Sequence, residues 1–173
     1  MLQLIVSHTP IWVWLVLAFL VVRGIKAMTP GETSLGKLAI VPVLFTAWGM
    51  WSINARYAGS WQAWALWLVG IAAGAAIGWA LLRRLQLRVE PTTGALWRSA
   101  DYSLLPLLLV TFLVKYGFEV ALAMSPELVA DTGFRAAYLM ISGGLTGIFV
   151  GKFIRYVSAS RGLAGQGKVM PAA

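Results

Sequence analysis

Five long apolar stretches, separated by short polar connections, set the pattern of this chain. An α-helix needs about 20 residues to cross roughly 30 Å of hydrocarbon, and each stretch is close to that length. The pattern predicts an all-α integral membrane protein, a five-transmembrane-helix bundle forming a single domain over residues 1–160. The predicted helices cover residues 10–27, 35–54, 61–82, 103–124 and 132–157. The Gly-rich, unpatterned residues 161–173 are predicted to be a disordered tail.

The connection between the third and fourth stretches is long enough to hold structure of its own. Leu85, Leu87 and Val89 alternate with polar residues, a Pro-Thr-Thr-Gly sequence follows, and Leu96 and Trp97 come after it. Period-two alternation next to such a turn is typical of a β-hairpin. We therefore predict a short cytoplasmic β-hairpin lying against the membrane surface.

The composition agrees with a membrane protein and excludes several kinds of chemistry. Charged residues make up 12% of the chain, against about 25% in soluble domains. There is no Cys and a single His, His8, so disulfides, thiolate catalysis and multi-His metal sites are excluded. No pattern pairs a nucleophile with a base. We predict a protein that is not an enzyme and that has no cofactor and no metal.

The basic residues predict how the chain is oriented. Eleven of the fourteen Lys and Arg residues belong to one side, namely Arg23, Lys26, Lys37, Arg83, Arg84, Arg88, Arg98, Lys152, Arg155, Arg161 and Lys168. The other side has Arg56 and Arg135. Because basic loops stay cytoplasmic, the N-terminus is predicted outside and the C-terminus inside. The net charge of +8 then indicates anionic lipids at the cytoplasmic face as partners, and not nucleic acid.

Most tryptophans fall near the outer ends of the first three predicted helices. These are Trp12, Trp14, Trp48, Trp51, Trp61, Trp64 and Trp67. An aromatic belt at the membrane–water interface is the favoured interpretation. A stacking platform for an aromatic or quinone-like ligand is the alternative.

Two helices carry glycine at every fourth position. The stripes are Gly70, Gly74 and Gly78 in the third helix, and Gly143, Gly147 and Gly151 in the fifth. Residues four apart share a helix face, and a face without side chains lets two backbones approach closely. The stripes predict helix packing, either between these helices within one chain or between chains of a homo-oligomer.

The fourth helix carries the one candidate site. Lys115 lies near the predicted bilayer midplane, and Glu119 follows one turn later on the same face. An ionisable residue at that depth is costly and indicates function by default. We predict a pore or ligand site of Lys115 and Glu119, with Tyr116 and Thr111 among the lining groups. A structural ion pair that only fixes the helix is an equally weighted alternative.

Further polar residues could line the same path, and these are Thr46, Ser142 and Thr146. Gly117, between Lys115 and Glu119, would let another helix or a ligand come close.

Several segments of the chain resemble a known family. They are HTPIWVW (His8–Trp14), VPVLF, LVKYGFEVALAMSPEL (Leu113–Leu128) and GGLTGIFVGKFIR. Together they resemble a family of small bacterial integral membrane proteins known only as a domain of unknown function. The resemblance implies the bacterial inner membrane and makes His8, Pro10, Lys115 and Tyr116 characteristic positions. Together with the orientation predicted from the basic residues, it places the N-terminus in the periplasm and the C-terminus in the cytoplasm. It implies no activity.

Two functions follow from these observations. The first is a small channel or transporter for an ion or small solute, with the Lys115–Glu119 pair at its midpoint. Five helices are few for a monomeric carrier, so this function favours an oligomer. The second is a non-enzymatic scaffold or accessory subunit that binds another membrane protein or lipid. A water-filled cavity at Lys115 would favour the first, and dry packing the second.

Overall fold

A computed structural model describes residues 10–82, 87–89 and 96–166 of the chain. In this part five α-helices follow one another: α1 Ile11–Ala27, α2 Leu35–Tyr57, α3 Trp61–Leu81, α4 Leu104–Met124 and α5 Thr132–Gln166. A single 3-10 turn, Pro126–Val129, joins α4 to α5. Helices α2 to α5 are each long and apolar enough to cross a membrane. The sequence-based prediction of helical, membrane-spanning segments is confirmed for these four.

Short polar side chains fix where three of the helices begin. Ser34 Oγ accepts from the Lys37 backbone N–H at 3.3 Å, and Ser60 Oγ accepts from the N–H of Ala63 at 3.3 Å. At the start of α5, Asp131 Oδ1 accepts from the N–H of Phe134 at 2.6 Å. Each oxygen satisfies one of the N–H groups that a first helical turn leaves without a partner.

The last helix is longer than predicted. The sequence places its end near residue 157, whereas α5 continues through Gln166. Ser158 and Ser160 do not end it, because their hydroxyls donate to the carbonyls of Ile154 and Val157 at 2.9 Å. The prediction of disorder from residue 161 is therefore wrong up to Gln166, and 167–173 lie outside the described residues.

A small antiparallel sheet contains the two predicted strands and a third one. Strand β2 (Leu87–Val89) pairs with β3 (Leu96–Arg98), as predicted, while the turn at 90–95 lies outside the described residues. A further strand, β1 (Gly31–Thr33), comes from the connection between α1 and α2 and pairs with the other side of β3. The strand order is β1-β3-β2. Strand β1 was not predicted, because three residues carry no readable alternation.

The chain forms two compact units. The first contains α1, α4, the 3-10 turn and the start of α5. In it α1 and α4 run antiparallel, since the N–H of Asp101 donates to the Ala27 carbonyl at 2.9 Å and Gly24 lies against Leu105. A Cβ added at Gly24 would lie 3.0 Å from Leu105 Cα, so the small residue permits this close approach.

The second unit contains the sheet, α2, α3 and α5 from residue 136. Aromatic contacts join α2 to α5: the Phe45 and Phe149 rings stack at 5.2 Å, and the Tyr57 and Tyr138 rings lie 6.4 Å apart. The order of these contacts along the two helices shows that α2 and α5 are antiparallel. All four side chains are buried, and Phe45 is completely inaccessible.

Candidate functional site

The buried face of α4 carries the predicted site. Its buried residues are Leu108, Thr111, Phe112, Lys115 and Leu122. Their spacing of three, four or seven residues places them on one side of the helix. Val110 and Leu113, on other sides, are 50% and 63% exposed. Lys115 therefore points into protein, while apolar side chains are exposed on the other sides of α4.

Lys115 lies in the middle of the helix. It is eleven residues after Leu104 and nine before Met124, or about 16 and 14 Å from the two ends. Only 4% of the residue is exposed. Glu119, one turn further on and half-buried, interacts with it electrostatically. Because side chains lean toward the helix N-terminus, Glu119 leans over the turn that holds Lys115.

Thr111, one turn before Lys115, has the most unusual environment of the four predicted site residues. It is completely buried, and its Oγ1 has no hydrogen-bond partner in the described part of the chain. Thr146 on α5 is buried to the same degree, but its hydroxyl donates to the Ser142 carbonyl of its own helix at 2.9 Å. A helical threonine that does not face solvent can make that backbone bond. Thr111 therefore presents a desolvated hydroxyl beside a desolvated ammonium.

Tyr116 and Gly117 lie at the edge of this face. The Tyr116 ring stacks on Phe112 at 5.9 Å with the planes 6° apart, and the residue is half-buried. Gly117 is exposed, and a Cβ added there would meet no atom within 4 Å. No close approach at Gly117 is found within the described chain, contrary to what its position suggested.

The other polar residues proposed as lining groups belong to the second unit, whereas Lys115 belongs to the first. Ser142 and Thr146 are buried on α5, and Thr46 on α2 is half-buried. Thr146 already uses its hydroxyl within α5. Within the described chain, none of these three residues combines complete burial with a hydroxyl that lacks a hydrogen-bond partner, as Thr111 does.

The two glycine stripes meet in a single interface between α3 and α5. A Cβ added at Gly70 would lie 2.6 Å from the Met140 carbonyl oxygen, and one at Gly74 would lie against the Gly144 carbonyl. Additions at Gly78, Gly143, Gly147 and Gly151 would likewise meet backbone carbonyls of the opposite helix. The contacts advance together along both helices, so α3 and α5 run parallel.

Two buried charged residues escaped the sequence analysis. Lys152, counted there among the basic residues of one membrane side, is 3% exposed on α5, directly after Gly151. The sequence feature that could have indicated its burial is its position next to the glycine stripe of α5. Asp101 is 5% exposed, and its Oδ1 accepts from both the N–H and the hydroxyl of Ser103, at 3.2 and 2.7 Å. Asp101 thus organises the start of α4.

The tryptophans do not all form a belt. Trp51 and Trp61 are 65% and 73% exposed, as side chains at a membrane interface would be. Trp67 is 3% exposed and packs against Gly49, where an added Cβ would lie 2.6 Å from its ring. Trp67 is therefore a core residue of the second unit and is removed from the predicted belt.

The described residues offer little to a metal ion. Across 10–82, 87–89 and 96–166, no group of three or more His, Asp or Glu side chains could hold one. His8 lies outside these ranges. The chemistry on α4 is instead that of a matched charge pair with a neighbouring hydrogen-bond donor.

Comparison with known proteins supports the resemblance carried by the motifs. The model of a family of unknown function, DUF6622, matches residues 1–165. The match includes α1 to α4 and all but the last residue of α5. It confirms the expected relationship to a domain of unknown function. No curated protein and no solved structure matches the chain.

Proposed function

We propose that this chain, which belongs to the DUF6622 family, is a small channel or transporter for an ion or small polar solute. Lys115 and Glu119 would stand at the midpoint of its path. One observation carries the proposal: the Thr111 hydroxyl is fully buried without a partner in the described chain, one turn from the buried Lys115.

The energetic cost of leaving that hydroxyl without a partner favours a site that holds water or a polar solute. A buried donor or acceptor with no partner costs about 1–3 kcal/mol, whereas a bound water or solute removes most of this cost. Thr111 could have avoided it through its own helix backbone, as Thr146 does. A polar occupant at mid-membrane satisfies the hydroxyl, and a polar occupant at that depth is what a conduction or transport path requires.

The proposal includes an orientation, with the N-terminus outside, the C-terminus inside and α1 as a fifth span. α1 has 17 residues, at the lower limit for a span, and it lies antiparallel to α4. The parallel packing of α3 and α5 also supports it, since two parallel spans need an odd number of crossings between them. α4 is the one candidate span in the described chain between them.

We propose the bacterial inner membrane as the location, with anionic lipids at the cytoplasmic face. The excess of basic residues on the predicted cytoplasmic side supports both. A homo-oligomer would complete a path for which five helices are few. The interface between its chains would be formed by helix faces other than the glycine stripes, because the two stripes already pack against each other within one chain.

The alternative is a non-enzymatic scaffold or accessory subunit that binds another membrane protein or lipid. It is favoured by the electrostatic matching of Lys115 with Glu119. Such a pair can serve only to fix how α4 packs. In that case the surroundings of Thr111 would be dry.

Thiol labelling in this Cys-free chain separates the two functions. Thr111→Cys leaves the charge pair intact and is treated in membranes with a small, anionic, membrane-impermeant methanethiosulfonate. Thr146→Cys is the matched control, equally buried but with a hydroxyl satisfied by its own helix. Ala58→Cys, exposed between α2 and α3, shows that the reagent is active.

We expect rapid labelling at 111 and 58 and none at 146. Labelling at 58 alone would mean that no aqueous path reaches α4, which would refute the transport function and leave the scaffold. Equal labelling at 111 and 146 would indicate unfolding or a general permeability of the bundle. A folded sample, verified by its helical circular dichroism, is therefore required.

A further inference from the structure

We infer that the α4 site takes a small monovalent anion, held by the Lys115 ammonium and the Thr111 hydroxyl, with Glu119 as the tethered carboxylate that competes for Lys115. This inference rests on the proposed function and names the class of its solute.

Helix geometry brings the two donors to one place. Thr111 and Lys115 are four residues apart on the buried face, about 6 Å along the axis. Side chains of a helix lean toward its N-terminus, so Lys115 extends over the turn that holds Thr111. The ammonium and the hydroxyl therefore belong to adjacent turns of one buried face, with Leu108 and Phe112 as buried apolar neighbours.

The chemistry of these groups selects an acceptor. An ammonium has three N–H donors and no lone pair, so it can hold Glu119 and a second acceptor together. The Thr111 hydroxyl has no partner in the described residues and can donate to that same acceptor. A cation is disfavoured, because Lys115 would repel it in a medium of low dielectric constant.

The charges and the apolar neighbours of the site limit the class of the anion. Lys115 and Glu119 balance each other, so a bound monovalent anion leaves one net negative charge at the site. A divalent anion would leave two beside Glu119, at a greater electrostatic cost in the buried setting. The apolar side chains of Leu108 and Phe112 offer no donors to a large polyanion. Chloride and formate are anions of the inferred class.

Glu119 then controls how tightly the anion binds. It and the anion compete for one ammonium, so binding requires Glu119 to give up part of its interaction with Lys115. Glu119 is half-buried and can turn toward a more hydrated position. Removing its charge should therefore tighten anion binding.

The test measures the melting temperature of the full chain in mild detergent while sodium formate or chloride replaces sodium gluconate at constant ionic strength. A ligand that binds only the folded state raises the melting temperature in a saturable way. We expect Thr111→Val to raise the half-saturating anion concentration about tenfold, the effect of losing one hydrogen bond to a charged ligand. Thr111→Ser should stay within about twofold of the original chain.

Two further variants identify the site. Thr146→Val, the matched control on α5, should leave the half-saturating concentration unchanged, and Glu119→Gln should lower it. Neither Thr111→Val nor Thr146→Val alters a charge, so the comparison stands even if Glu119→Gln fails to fold. An anion effect that is equal in Thr111→Val and the original chain would place the ion elsewhere and overturn the inference.

Failure of the inference is distinguishable from failure of the proposed function. If Thr111→Cys is labelled but no anion stabilises the protein, the site is wet and holds water or a neutral solute only. The inference is then wrong and the transport function stands. If Thr111→Cys is not labelled and no anion stabilises the protein, both are wrong.

Discussion

Replacing Gly74 by alanine tests the packing of the second unit. The added Cβ would lie against the Gly144 carbonyl, 2.7 Å from its carbon and 3.0 Å from Gly144 Cα. Ordinary contact begins near 3.4 Å, so α3 and α5 would have to part by at least about 0.7 Å to clear the carbonyl carbon, and by more to clear its oxygen. A gap of 0.5–1 Å already loses about a quarter to a half of each dispersion contact.

Overpacking of this kind costs about 1–3 kcal/mol. We expect Gly74→Ala to lower the free energy of unfolding by about 3 kcal/mol, at the upper end, because backbone atoms cannot rotate away from the new methyl group. The other glycine contacts of the interface would loosen with it, since both helices move as rigid elements. The loss should appear in mixed micelles as unfolding at a lower fraction of sodium dodecyl sulfate, followed by circular dichroism.

Gly117→Ala on α4 is the matched control, since a Cβ there meets no atom within 4 Å. It makes the same chemical change within a candidate span and should leave stability unchanged or raise it by up to about 1 kcal/mol, because alanine favours the helix. Equal stability of Gly74→Ala and Gly117→Ala would refute close α3–α5 packing. The glycine stripes would then be assigned to an interface between chains of a homo-oligomer.

Two further predictions concern buried charges. Lys115→Met leaves Glu119 without its charge partner and should lower the free energy of unfolding by about 2 kcal/mol in the same assay, which is less than for a fully buried pair. Adding Glu119→Gln should restore most of this loss. A double variant as unstable as the single one would contradict charge pairing. Asp101→Ala removes the acceptor of both hydrogen bonds from Ser103 and should lower the free energy of unfolding by about 1–3 kcal/mol. Asp101→Asn keeps a side-chain oxygen acceptor and should lower it by less. Equal losses in the two variants would mean that these hydrogen bonds are not the cause.

The helices could be predicted because membrane hydrocarbon imposes a length. Predicted and observed starts of α2, α3 and α5 coincide at Leu35, Trp61 and Thr132. Helix ends were less predictable, because a serine can either end a helix or continue it. Ser158 continues α5, since its hydroxyl donates to the carbonyl of the preceding turn. Strand β1 left no signal, because its place in the sheet depends on β3, which lies more than sixty residues later in the chain.

The sequence could place the candidate residues along α4 but could not give their surroundings. Spacing put Lys115 and Glu119 on one face, with Thr111 among the possible lining groups, and α4 buries Thr111 and Lys115. Spacing could not reveal that the Thr111 hydroxyl is buried without a hydrogen-bond partner in the described chain, since that depends on tertiary surroundings. Counting charges could not reveal that Lys152 is buried for a related reason, because the burial of a basic residue depends on neighbours from the rest of the fold.

The parallel packing of α3 and α5 has a consequence for biosynthesis. Gly151, the last glycine of the α5 stripe, is 70 residues beyond Leu81, the end of α3. At about 5–20 residues per second, a ribosome needs roughly 4–14 s to make that segment. Through this interval the stripe of α3 exists without its partner. A nascent chain of this protein is therefore most open to capture by other glycine-faced helices, or by a chaperone, between the synthesis of α3 and that of α5.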